Sequence, residues 1–249
     1  MSHHINLVRI KAVANMLAEL KKDIVFVGGA TTSLYADDRT TEPRPTEDVD
    51  VVIELATYRE YAELDEKLRD AGFVNDSASG VVCRYNAQGI TVDIMPTGEG
   101  ALGFSNRWYP SGFKEAVSVN IDQVAVKIFS LPYFIASKME AFDSRGKANY
   151  RFSTDFEDIV FVLENNSNAS TLLKAAPEEL QVYFKERFSK LLKDPNLEEG
   201  LTAHLTPAKA LVQFTRINQL FKELSDGQQK VKLITKNRNT LRGPNNSRR

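Results

Sequence analysis

Apolar residues in the first 22 positions recur at helical spacing, as Leu7, Ile10, Val13, Leu17 and Leu20, with Arg9, Lys11, Glu19, Lys21 and Lys22 between them. The segment therefore predicts an amphipathic helix. The period then shortens: Asp23-Ile24-Val25-Phe26-Val27 is a β-rich apolar run ending at Gly28-Gly29, a pair that lets the chain turn into a helix over Ala30 to Tyr35. Residues 36–47 carry Asp37, Asp38, Arg39, Pro43 and Pro45, and two prolines in a polar stretch predict a loop. Val49 to Leu55 reads as a second strand, and Tyr58 to Ala71 as a helix with Leu64 and Leu68 inside and Gly72 as its stop. Val81 to Tyr85 and Ile90 to Met95, flanking Asn86-Ala87-Gln88-Gly89, predict a β-hairpin.

Residues 97–113 mix Gly, Ser and Pro with Trp108, Tyr109 and Phe113, the composition of a long ordered loop or a short irregular strand. Val124 to Phe129 predicts a further strand. From Pro132 onward the pattern is helical, with start signals at Pro132, at Ser153 or Thr154, at Ser170 and at Thr206. The expected class is α/β (α+β): a mixed first half over residues 1–130, a mostly helical region over 131–235, and a basic, Asn-rich, apolar-poor tail over 236–249 that is expected to be mobile.

Composition narrows the class without naming a function. In 249 residues, 42% hydrophobic and 26% charged content describes a soluble globular chain able to bury a core. The net charge of -1 makes no case for nucleic acid at the level of the whole molecule. The single cysteine, Cys83, forms no intramolecular disulfide, and no Cys/His group has zinc spacing, which fits a reducing compartment. Without a signal-peptide run or a long apolar stretch, the expected setting is cytoplasmic, with no membrane partner.

The candidate chemistry sits on the strands. Asp48 and Asp50 lie two positions apart, so a strand points both carboxylates to one face and Val49, Val51 and Ile53 to the other. Two like charges on an otherwise apolar strand are costly unless a cation offsets them, and Mg²⁺ favours one or two carboxylates together with substrate phosphates. Asp93 repeats the situation on a later strand, between Val92 and Ile94. Three carboxylates on neighbouring strands would make a two-metal site, with Asp93 suited to take the proton of an attacking hydroxyl. Gly28 and Gly29 would let backbone N–H groups approach a triphosphate, with Thr31, Thr32 and Ser33 adding hydroxyl donors.

Gly28-Gly29 at a strand end, Asp48-Val49-Asp50 on the next strand and a lone Asp93 later resemble the polymerase-beta-like nucleotidyltransferases. Ser137-Lys138-Met139-Glu140-Ala141-Phe142, then Arg145, then Asp155-Phe156-Glu157-Asp158-Ile159 resemble the AbiEii/AbiGii toxin branch, so the resemblance spans about residues 20–165. It implies a polymerase-beta-like core with a mixed sheet, followed by a mostly helical C-terminal region. It also implies Mg²⁺ or Mn²⁺ on Asp48, Asp50 and Asp93, and a nucleoside triphosphate donor held at Gly28, Gly29, Thr32 and Ser33. Lys138 would contact the triphosphate, and Asp155 or Asp158 would complete the pocket. The implied acceptor is an RNA 3′ end such as tRNA, or a protein side chain, and the implied role is a toxin with a cognate antitoxin. Two other readings use the same residues: a nucleotidyltransferase for small molecules of the aminoglycoside type, and a non-catalytic nucleotide-binding or interaction module.

Several features have plainer readings. Gly98-Glu99-Gly100-Ala101-Leu102-Gly103 matches a dinucleotide fingerprint but reads as a loop, since Pro96 precedes it and Pro110 leaves no long helix after it. Trp108 and Tyr109 read as an aromatic loop over the sheet edge. Lys138, four residues from both Phe134 and Phe142, also suits a buried face from which it snorkels. Asp155 also suits a helix cap, and Asp158 a pair with Arg151 or Arg145. Lys230, Lys232, Lys236, Arg238, Arg242, Arg248 and Arg249 suit either a nucleic-acid backbone or a solvated surface.

Overall fold

In the computed structural model, which describes residues 1–37, 40–55, 57–103, 105–145 and 149–227, the periodic stripe of the first segment forms helix α1 (Ser2–Leu17). Leu7, Ile10, Val13 and Leu17 are buried along it, and Leu20 follows in a 3₁₀ turn (Ala18–Asp23). The apolar runs behind it become a seven-stranded sheet in the order β3-β4-β5-β2-β1-β7-β6. At its centre are β1 (Ile24–Val27), buried at every residue, and β2 (Asp48–Ile53). Both are covered on two faces, which is why they read as near-continuous apolar runs. The exceptions are Asp48 and Asp50, both only partly buried. The sheet is mixed: β1 pairs antiparallel with β2, while β2 pairs parallel with β5 (Ile90–Pro96).

Helix α2 (Tyr58–Asp70) follows β2 and starts at a full capping box between Thr57 and Glu60. The hairpin differs from expectation. Its first strand is β4 (Arg84–Ala87), preceded by the short β3 (Val74–Asn75), and its turn is the two-residue Gln88-Gly89, both with positive φ. That conformation matches the twist of the flanking strands, so Asn86 and Ala87 join the ladder instead of the turn.

Residues 97–113, expected to be loop or strand, form two short helices instead: α3 (Glu99–Leu102), closed by Gly103 at φ 75°, and α4 (Tyr109–Lys114). The turn residues supply helix ends here, with Pro110 in the first turn of α4, where its missing N–H costs nothing. A strand not foreseen, β6 (Val117–Ile121), pairs with β7 (Val124–Ile128). Trp108 is also placed differently from expectation. It is buried against Tyr183 and Tyr133, at ring distances of 4.9 and 6.5 Å, so it packs on the helical half and not on the sheet edge.

The helical half comprises α5 (Leu131–Arg145), α6 (Thr154–Asn165), α7 (Ala169–Lys174), α8 (Glu178–Leu191), α9 (Leu197–His204) and α10 (Ala210–Asp226). Ser170 lies inside α7 and does not cap it: Asn168 precedes the helix, its N–H held by the Asn166 side chain. Phe134, Phe142, Phe156, Phe184, Phe188 and Phe221 are fully buried, in one apolar cluster with Phe26 and Val51 of the sheet. The chain is thus an α/β fold, a mixed sheet with many helices. No helix among the described residues is long and apolar enough to cross a membrane. Asp38, Arg39 and the basic residues from Lys230 to Arg249, with the tail 236–249, lie outside the described residues.

Candidate active site

Sheet register brings the three aspartates together. Asp50 on β2 lies beside Asp93 on β5, and Asp48 is one pleat along the same face of β2. One carboxylate oxygen from each of Asp48, Asp50 and Asp93 lies within 4.8 Å of the others. Burial first, then the charge of Asp48 and that of Asp93, push the Asp50 carboxyl up to about 7, against the opposing pull of Lys138 and Arg145. Clustered hard oxygen donors on one face fit Mg²⁺ or Mn²⁺, and a bound cation would remove the repulsion that raises Asp50.

The glycine pair is shaped around this cluster. Gly28 has φ 71°, and a Cβ there would sit 1.9 Å from Oδ2 of Asp50. A Cβ on Gly29 would sit 2.3 Å from Nη2 of Arg44. The two glycines are therefore a notch that admits the Asp50 carboxylate on one side and the Arg44 guanidinium on the other. Beyond them the chain runs into the 3₁₀ helix Gly29–Tyr35. Thr31 donates its hydroxyl to the Gly28 carbonyl at 2.9 Å. The side chains of Thr32 and Ser33 are buried, and neither hydroxyl meets a hydrogen-bond partner among the described residues.

A second charged group packs beside the first. Lys138, at 5% exposure, reaches Asp155 at 3.0 Å and Asp158 at 2.6 Å. Arg145, two helical turns on from Lys138 and so on the same face of α5, grips Asp155 through Nε and Nη2 at 2.7 and 2.8 Å. Arg44 grips Asp158 in the same way at 2.9 and 3.0 Å. Burial alone would raise Asp155, but the Arg145 fork and Lys138 overcome it and hold its carboxyl at about 2. The helix also helps: Ser153 caps α6 through Phe156, which leaves Asp155 in the favourable first turn. Asp158 pairs with neither Arg145 nor Arg151, contrary to expectation; Arg151 instead bonds Glu199 at 3.2 Å on the surface.

Sequence reading passed over three groups that this geometry makes prominent. Arg44 is one, and its only signal was its place shortly before Asp48. Asn6 is another: fully buried on α1, it accepts the Thr46 hydroxyl at 3.0 Å while Arg9 bonds the Thr46 carbonyl, so α1 pins the loop that leads into β2. The third is Arg84, which lies opposite Asp93 on β4 and donates from Nε and Nη2 to both its oxygens at 2.8 Å. Placing the hairpin turn at Gln88-Gly89 moves Arg84 into that register, whereas a four-residue turn over 86–89 would set Val82 there.

The sequence model of the family described as "Nucleotidyl transferase AbiEii toxin, Type IV TA system" matches residues 12–223, a span that holds both charged groups. No curated protein matches the chain. Among solved structures the chain is similar to an antigenic nucleotidyltransferase-like protein from Paracoccidioides brasiliensis, at 21% identity and a TM-score of 0.48, covering 83% of this chain and 96% of that one.

Proposed function

The chain belongs to the AbiEii nucleotidyl transferase toxins of type IV toxin-antitoxin systems and is a nucleotidyltransferase, and from that membership we propose that it moves a nucleoside monophosphate from an NTP to a hydroxyl at an RNA 3′ end, such as that of tRNA. The observation that carries this reading is the convergence of Asp48, Asp50 and Asp93 within 4.8 Å on one face of the sheet. Asp48 and Asp50, with Asp93, hold Mg²⁺ or Mn²⁺. Bound there, the ion supplies charge neutralisation for the triphosphate and the leaving pyrophosphate.

The protein's own residues do the rest. Asp93 takes the proton of the acceptor hydroxyl. The backbone at Gly28 and Gly29, backed by Thr32 and Ser33, forms the wall against which the triphosphate lies. Lys138 and Arg145 direct positive charge toward it, and that charge is already felt at Asp50. Asp155 and Asp158 fix those cations in place. In this division, residues 1–130 supply the carboxylates and 131–235 the cations. Family membership extends the proposal to a cytoplasmic toxin restrained by a cognate antitoxin.

The test is to incubate the purified protein with Mg²⁺, each α-³²P-NTP in turn and total cellular RNA, beside an Asp48→Ala/Asp50→Ala control. Label on an RNA band only with intact aspartates supports the reading and names the donor. Label on an added aminoglycoside or on protein, and not on RNA, changes the acceptor. No label on any acceptor overturns the catalytic reading in favour of a binding module.

A further inference from the structure

The proposed reaction leaves Arg84 without a role, although among the described residues it makes the closest contact of any basic side chain with the three aspartates. Arg84 faces Asp93 across the β4–β5 ladder, and Asp93 faces Asp50 across β5–β2, so one guanidinium and two carboxylates stand abreast on the sheet. The planar fork engages both oxygens of Asp93, and Nη2 also lies 4.0 Å from Oδ2 of Asp48. A guanidinium keeps its charge throughout the range in which proteins stay folded. A divalent ion that needs an oxygen of Asp93 therefore meets a fixed positive charge already seated on it. Asp48 and Asp50, by contrast, make no such fork among the described residues: toward Asp48 that same Nη2 stands only at the longer distance. Arg84 keeps 28% of its side chain exposed, which leaves it a solvent side toward which to withdraw.

We propose that Arg84 is a resident counter-ion of the idle enzyme, occupying Asp93 and yielding at least one of its oxygens before a second divalent cation can bind. The inference rests on reading Asp48, Asp50 and Asp93 as a divalent-cation site. It divides that site in two: a position at Asp48 and Asp50 that is open without nucleotide, and a position at Asp93 that is masked. A triphosphate offers the guanidinium an alternative acceptor, since phosphate oxygens take the same two-pronged geometry as a carboxylate. Donor binding would then unmask Asp93, which is also the residue proposed to take the acceptor's proton. In the absence of donor, Asp93 is tied to Arg84.

Mn²⁺ binding to the full chain without nucleotide tests this, with bound ion counted by electron paramagnetic resonance. The proteins compared are wild type, Arg84→Gln, Arg84→Lys and Asp48→Asn/Asp50→Asn, each checked for folding by thermal melting. The expected result is one Mn²⁺ on the wild type with a second binding far more weakly. In Arg84→Gln that second site tightens about tenfold or more, because a unit charge within a few ångströms of the ion has gone. Arg84→Lys, which keeps the charge but loses the fork, falls between them. An unchanged second site in a folded Arg84→Gln protein overturns the proposal, and a weakened one overturns it in favour of a residue that merely holds Asp93 in position. If Mn²⁺ binding is the same in Asp48→Asn/Asp50→Asn as in wild type, the cation reading of the triad fails, and the role of Arg84 fails with it.

Discussion

Two groups of aspartates lie side by side in this protein and differ in the counter-charge that surrounds them. Asp48, Asp50 and Asp93 crowd within 4.8 Å of one another against one guanidinium, and Asp50 is pushed up to about 7. Asp155 and Asp158 share Lys138 and take a guanidinium fork each, and Asp155 is held at about 2. The side-chain chemistry is the same and the difference is the supply of counter-charge. The second group is complete: two acids, three cations, each acid oxygen bonded. The first carries an excess of negative charge that no other described residue neutralises, and that shortfall is the reason to propose a cation from outside there. An isolated structural network would gain by being complete, so the imbalance is itself evidence of function.

Substitution should separate the two groups cleanly. Asp50→Asn removes the charge that Asp48 and Asp93 oppose, so it should abolish transfer, by on the order of a thousandfold or more, while raising the melting temperature of the metal-free protein. Activity measured beside a thermal melt checks both. A variant that lost activity and stability together would deny that the first group is short of counter-charge. Asp158→Ala should move stability the other way. It leaves Lys138 buried with one fewer partner and strands the Arg44 fork, so a loss of about 3–5 kcal/mol is expected in urea unfolding. A loss below about 1 kcal/mol would show that water reaches Lys138 freely and that this group is no better sealed than the first.

The first group was legible in the sequence and the second only in part, for a physical reason. Strand alternation fixes the face of a side chain from its number alone, so Asp48 and Asp50 could be placed together before any fold was known, whereas Asp93 was expected beside them from the resemblance to the polymerase-beta-like nucleotidyltransferases. Pairing in the second group depends on where the loop over residues 40–46 passes and how α5 and α6 meet, which no local period encodes. Hence Asp158 found Arg44, 114 positions away in sequence, and not Arg145 or Arg151. Arg84 shows the intermediate case. Its face followed from alternation, but its partner depended on the hairpin register, and the type I′ conformation at Gln88 and Gly89 decided that register. The class of fold, the central strands and the long helices followed from periodicity. The short helices α3 and α4 did not, because runs of four and six residues are too short to show a period.

The smallest expected effect sharpens the contrast most, because it reads both groups in one titration. A carboxyl raised in the folded state holds its proton where the unfolded chain has released it, so Asp50 contributes stability that is fully present below pH about 4 and is lost as pH rises toward about 7. A carboxyl depressed in the folded state has the opposite sign: Asp155 contributes stability that is present above pH about 4 and is lost as pH falls toward about 2. Asp50 is partly exposed, so its share should be on the order of 1–2 kcal/mol. Melting temperatures of the metal-free wild type should therefore decline between pH 5 and pH 8, and those of Asp50→Asn should decline less. Added Mg²⁺ competes with the proton for the same oxygens, so its stabilising effect should be larger at pH 8 than at pH 5, and Asp50→Asn should remove that difference. Equal slopes for the two proteins, with or without Mg²⁺, would mean that Asp50 is ionised across the whole range, and that the protein has already neutralised the first group as fully as the second.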